Sequence, residues 1–121
     1  MRIITKTILT IVTILFANAC ATTPTMKSVA GTYERKDRDS DHNRRVFLDN
    51  GVSEFYENDI KKRDDRWKIT KDRELHIVFE NGHVAVFYIN KNGSLTGIAT
   101  IDGGKRKGEG SEYHNNYNRI K

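Results

Sequence analysis

Three Asn-Gly pairs, Asn50-Gly51, Asn81-Gly82 and Asn92-Gly93, each stand between runs rich in Val, Ile, Phe and Tyr, and Asp102-Gly103-Gly104 adds a fourth turn signal. Asn and Gly tolerate the positive φ that tight hairpin turns demand, so this spacing commits the chain from Val29 onward to antiparallel hairpins. Strands are expected at 31–36, 44–49, 52–57, 66–70, on both sides of Asn81-Gly82, at 94–101 and at 113–120. No stretch carries a 3.6-residue apolar period, which leaves helix a minor component at most. The reading is an all-β chain, a single antiparallel up-and-down meander of about eight strands forming a small barrel or half-open barrel.

One hairpin can be worked through residue by residue. With Asn81-Gly82 as a two-residue turn, Glu80 faces His83, Phe79 faces Val84, Ile77 faces Val86 and Leu75 faces Tyr88. Side chains alternate along a strand, so Leu75, Ile77, Phe79, Val84, Val86 and Tyr88 would share one apolar face. Beyond Asn92-Gly93, Gly97 and Ala99 would lie beside Tyr88 and Val86. Trp67 and Ile69 alternate with Arg66, Lys68 and Thr70 in the manner of a half-buried strand. The aromatic residues Tyr33, Phe47, Phe55, Trp67, Phe79 and Tyr88 are expected to serve the core rather than a ligand cage.

The chain before this region has a different composition. Arg2 and Lys6 precede an apolar stretch from Ile8 to Ala17, followed by Ala17-Asn18-Ala19-Cys20, with Cys20 the only cysteine in 121 residues. A charged start, an apolar middle and small residues at the exit are the layout of a secretory signal, and about ten apolar residues are too few to span a bilayer, which takes roughly 20. Ala17-x-Ala19 suits an ordinary signal peptidase, whereas Ala17-Asn18-Ala19-Cys20 resembles the lipobox of bacterial lipoproteins, with Ala17 where leucine is commonest. In that family cleavage falls just before the cysteine, whose thiol receives a diacylglycerol. A single exported cysteine has no partner for an intramolecular disulfide, and acylation gives its thiol a use. The expected organisation is a lipoprotein-type signal peptide at 1–19, lipidated Cys20 with a flexible tether at 20–28, and an all-β domain at 29–121. Loss of Arg2 and Lys6 leaves 19 Lys and Arg against 16 acids, a mature net charge of +3.

With this signal, Val29 to Tyr33 opening the first strand, and the segment NGSLTGIATIDGGKRK at 92–107, the chain resembles the small uncharacterised bacterial lipoproteins whose domain is a lipocalin-like β-meander. Tyr33 stands in the place of the tryptophan of the lipocalin Gly-x-Trp signature. The resemblance implies a barrel or half-open barrel and an apolar ligand in its mouth.

Residue patterns for catalysis are sparse. His76, Glu80 and His83 would share a face, but residues 76 and 80 lie four steps apart on a strand, about 13 Å at roughly 3.3 Å per residue, too far to close a metal site. No serine occupies a Gly-x-Ser-x-Gly elbow, and Gly103, Gly104, Gly108 and Gly110 flank a basic hairpin end instead of opening a helix over phosphates. Asp37, Asp39 and Asp41 lack the glycine and closing glutamate of a calcium loop. The basic clusters Arg35-Lys36, Arg44-Arg45, Lys61-Lys62-Arg63 and Lys105-Arg106-Lys107 are interleaved with acids and form no one-sign stripe, so they read as a solvated mixed-charge surface and no nucleic acid is expected.

The functional expectation is a non-enzymatic protein of the bacterial cell envelope, without cofactor or metal. It would be held to the membrane by lipid on Cys20 and would bind a small apolar ligand or an envelope partner. Ala21 in place of aspartate after the cysteine permits an outer-membrane destination where the organism has one. Other readings stay open: a soluble periplasmic or secreted protein, an envelope-protective inhibitor of lysozyme, a polyanion binder, or an enzyme.

Overall fold

The three Asn-Gly pairs build one and the same turn. In each, the glycine N–H donates to the carbonyl three residues earlier, Gly51 to Leu48, Gly82 to Phe79 and Gly93 to Asn90, at 2.9–3.1 Å. The glycines take φ near +90°, and each asparagine Oδ1 accepts from the N–H two residues on, of Val52, His83 and Ser94, at 3.0 Å. This is the three-residue turn ending in a left-handed glycine bulge, not a two-residue primed turn. The two-residue primed turns fall elsewhere, at Asn58-Asp59 and Gly103-Gly104, where both central residues have positive φ.

This chemistry corrects the expected register around Asn81-Gly82 by one residue. In the computed structural model, which describes residues 23–36, 42–108 and 116–121, Val78 pairs with Val84, Ile77 with Ala85, Leu75 with Phe87 and Glu74 with Tyr88. Leu75, Ile77, Phe87 and Ile89 therefore point into the protein, while Tyr88 turns outward and is 37% exposed. Gly97 lies opposite Phe87 rather than Tyr88, because a bulge shifts the ladder between Val86 and Phe87; Ala99 does lie opposite Val86. Those two residues are buried on the outer side of the sheet, a small apolar patch separate from the core.

The strands are β1 Gly31–Lys36, β2 His42–Phe47, β3 Val52–Glu57, β4 Ile60–Ile69, β5 Glu74–Val78, β6 Val84–Ile89, β7 Leu95–Asp102, β8 Lys105–Gly108 and β9 Asn116–Arg119. Neighbours pair antiparallel from β1 to β7, and β9 joins β7 to β1, so eight strands close a barrel. The short β8 is additional and was not expected from the sequence; it pairs with the last four residues of β7, whose first two residues hold β9 on the same edge. Closure removes the unpaired edges that an open meander would expose.

Residues 26–28, read as tether, belong to a helical turn, α1 Met26–Val29, capped by reciprocal hydrogen bonds between Thr25 and Ser28. It seats buried Val29 under one end of the barrel, where the Tyr33 hydroxyl donates to the Val29 carbonyl at 2.7 Å. Arg119 of β9 ties this plug down by donating to the carbonyls of Ser28, Ala30 and Lys121 at 2.8–3.2 Å. Backbone approach there is close: a Cβ on Gly31 would lie 2.4 Å from the Lys121 carbonyl oxygen.

Above the plug the barrel is filled. Phe47 stands edge-on between Tyr33 and Trp67, with centroids at 5.3 and 5.1 Å, and Phe87 meets Tyr117 at 5.7 Å. Such edge-to-face pairs add about 0.5–1.5 kcal/mol each beyond burial. The Trp67 indole N–H donates to the Leu48 carbonyl at 2.8 Å, which satisfies its one polar atom. Tyr33, Phe47 and Trp67 thus serve the core as expected, and Phe79 packs against it while partly buried; Phe55 is only partly buried and meets arginine side chains instead.

Candidate functional site

The inward face of the barrel changes chemistry halfway along its length. In β2, period-2 alternation carries Phe47 inward, then Arg45, then Asn43, all buried. Across the ladders Ser53 lies opposite Phe47 and Asp65 opposite Ser53; one layer further up, Phe55 lies opposite Arg45 and Arg63 opposite Phe55. The registers thus place an arginine, a serine and an aspartate directly on top of the aromatic core.

Arg45 Nη1 donates to Asp65 Oδ2 at 2.9 Å and to Ser53 Oγ at 3.0 Å. Arg63 Nε donates to the same carboxylate at 3.1 and 3.3 Å. The Asp65 side chain is 1% exposed and that of Arg45 5%, while Arg63 is 47% exposed and reaches solvent. Burying a carboxylate costs several kcal/mol unless it is paired and hydrogen-bonded, and two guanidiniums meet that condition here. The two phenyl rings complete the frame, since Arg63 lies over Phe55 at 4.7 Å and Phe79 at 5.3 Å, and Arg45 over the same rings at 4.8 and 5.8 Å.

The cavity above this frame measures about 530 Å³ and is bordered by Arg63, Asp64, Phe79, Glu80 and His83. It opens at the end of the barrel away from α1. Lys61 pairs with the rim carboxylate Asp64 at 3.0 Å and with Glu54 at 3.1 Å. The two guanidiniums share one buried carboxylate, which leaves one positive charge at the floor, beneath a rim that carries the carboxylates of Asp64 and Glu80. Arg63, anchored through Nε, presents the remainder of its guanidinium to the opening, a rigid planar fork suited to a carboxylate or similar anion.

Other ionisable groups are dispersed around the wall. His42 pairs with Glu34, His83 with Asp102 at 3.5 Å and His76 with Glu74 at 3.1 Å, three separate contacts on different strands. Glu80 and His83 are not register partners: Phe79 takes the place opposite His83. Among the described residues no group of three metal-ligating side chains is found. Arg106 grips Glu74 with both terminal nitrogens, at 2.8 and 3.0 Å, and with His76 behind it this holds the Glu74 carboxyl down to about 2. No helix of the described residues is long and apolar enough to cross a membrane.

Cys20, the proposed lipidation site, and the Asp37–Asp41 acids lie outside the described residues. The mouth itself was missed in the sequence, where Arg45, Arg63 and Asp65 were read as members of solvated charge clusters. The available signal was alternation: Arg45 stands two residues before Phe47 and Asp65 two before Trp67, which puts each on the strand face that carries the core.

Compared with protein-family models, curated proteins and solved structures, the chain matches none.

Proposed function

We propose that this chain is a lipid-anchored, non-enzymatic binding module of the bacterial envelope, which takes a small ligand or a side chain of an envelope partner at the open mouth of its barrel. The observation that carries the binding reading is the Arg45–Asp65–Arg63 frame, built over a filled core and under an open cavity. An arginine fixed by a buried carboxylate and two aromatic rings is preorganised, so little rotamer freedom is lost when it meets a ligand. The Arg63 guanidinium suits a carboxylate or related anionic group that reaches past the acidic rim of Asp64 and Glu80, with any apolar portion resting on Phe79.

The location reading is supported by the lipobox-like Ala17-Asn18-Ala19-Cys20 and by the apolar segment before it. Several acyl chains at about 0.8 kcal/mol per buried methylene give stable attachment where one chain would not. Calorimetric titration with short carboxylate-bearing peptides tests the mouth: saturable binding to the wild type and its loss in Arg63→Gln support the reading, and equal heats in both proteins contradict it. Fractionation tests the anchor: Cys20→Ser should leave the membrane fraction and lose the acyl mass, and retention of both would remove the lipoprotein reading.

A further inference from the structure

The described connections at the two ends of the barrel carry opposite charge. At the α1 end, residues 23–30, 48–51, 70–73, 90–94 and 120–121 hold Lys27, Lys71, Arg73, Lys91 and Lys121 against Asp49 and Asp72, a side-chain balance of +3. At the mouth end, the described connections 58–59, 79–83 and 103–104 hold Asp59 and Glu80 and no Lys or Arg, a balance of −2. The modest net charge of the whole mature chain conceals this polarity.

Arg44, Arg45, Lys61, Arg63 and Arg106 on the walls and at the mouth have carboxylate partners among the described residues, whereas Lys62, Arg66, Lys68, Lys105 and Lys107 on the walls do not. Among the described residues none of the α1-end cations has one, and Arg119, the last residue of β9, has none either. Arg73 donates instead to the Ile89 carbonyl at 3.1 and 3.3 Å, and Arg119 to the three plug carbonyls. The Ile89 carbonyl fixes Arg73 without cancelling its charge. A cavity of about 450 Å³ lies between Arg73, Lys91, Arg119 and Pro24.

Pro24 also marks where the chain departs toward Cys20. Thr23 is three residues from the cysteine, a reach of at most about 10 Å at 3.3–3.6 Å per residue. That is comparable with the Debye length of about 8–10 Å over which exposed charges still act in physiological salt. An acyl-bearing Cys20 in a bilayer therefore brings this end of the barrel, and not the mouth, within electrostatic range of the headgroups.

We infer that the α1 end is a docking face for anionic phospholipid headgroups, with Arg73, Lys91 and Arg119 around a cavity large enough to admit a headgroup phosphate and the mouth directed away from the membrane. The inference rests on the reading of Cys20 as the lipid anchor. The anchor supplies attachment, and the basic face supplies orientation, through attraction that weakens as salt rises.

The full chain, purified from the membranes of an expressing bacterium, is placed in vesicles of phosphatidylcholine alone or of phosphatidylcholine with abundant phosphatidylglycerol. A water-soluble amine reagent then labels its lysines, read by peptide mass. In the anionic vesicles at low salt, Lys71 and Lys91 should label several-fold more slowly relative to Lys62 and Lys105, and high salt should restore the ratio. An unchanged ratio between the two vesicle types overturns the inference. So does equal slowing by inorganic phosphate added to phosphatidylcholine vesicles, which would assign the cavity to a soluble anion. The mass of the Cys20 peptide reports on the anchor separately: acyl mass without lysine protection removes docking alone, and protection without acyl mass removes the anchor alone.

Discussion

Arg45 of β2 and Asp65 of β4 meet at 2.9 Å inside the barrel, on neither side of a common ladder but across the intervening strand β3, whose Ser53 hydroxyl accepts from the same guanidinium nitrogen. An ion pair in this position couples three strands and forms the ceiling of the aromatic core. Removing Asp65 leaves the buried Arg45 guanidinium without a carboxylate, which typically costs about 3–5 kcal/mol. Asp65→Leu should therefore destabilise by about that amount in urea unfolding, Arg45→Met by less because Arg63 still pairs with Asp65, and the double change Arg45→Met with Asp65→Leu by clearly less than the sum of the two single changes. Strict additivity would mean that the pair is not coupled.

The turn geometry separates two glycines. Gly82 has φ +89° with open space where a Cβ would stand, so Gly82→Ala meets only the backbone cost of the left-handed region, about 1–2 kcal/mol. Gly31→Ala places its methyl group against the Lys121 carbonyl at 2.4 Å and must displace the chain that closes the plug. Thermal unfolding should show the larger loss at Gly31, and the reverse order would contradict the close approach described for that end.

Glu74 gives the fold a pH dependence of definite sign. Its carboxyl is held at about 2 against an ordinary 4.5, first by Arg106 and then by His76. A carboxylate with a depressed folded value stabilises fully above its unfolded value, and that contribution disappears as pH falls from about 4.5 toward 2. Carboxyl NMR titration should find the Glu74 midpoint near 2 in the wild type and shifted upward toward 4.5 in Arg106→Gln. An unmoved midpoint would show that Arg106 is not the cause.

Much of the architecture was legible in sequence because turn chemistry and alternation are local. Strands β1 and β3 begin and end where Gly31–Lys36 and Val52–Glu57 were expected, and the barrel has the expected eight strands. The register of the β5–β6 hairpin was not legible, since Asn-Gly serves both a two-residue primed turn and a three-residue turn with a glycine bulge, and the choice moves every partner by one. Tyr88 consequently faces outward and Phe87 inward. The mouth was hidden for a different reason. Arg45, Arg63 and Asp65 are typical surface residues by type, and only their phase relative to Phe47 and Trp67 shows that they face inward. β8 escaped notice because Lys105–Gly108 is exposed throughout and leaves no apolar pattern.

The most direct measurement is an NMR titration of the isotope-labelled protein with a short carboxylate-bearing peptide, followed at the arginine Nε–H groups and the aromatic rings. Binding at the mouth predicts saturable shifts concentrated on Arg63, Phe55, Phe79 and His83, with Trp67 and Tyr117 in the filled core unmoved and the whole response lost in Arg63→Gln. Saturable shifts confined to the α1 end or the outer wall, or a response in Arg63→Gln equal to that of the wild type, would contradict the assignment of the mouth as the binding site.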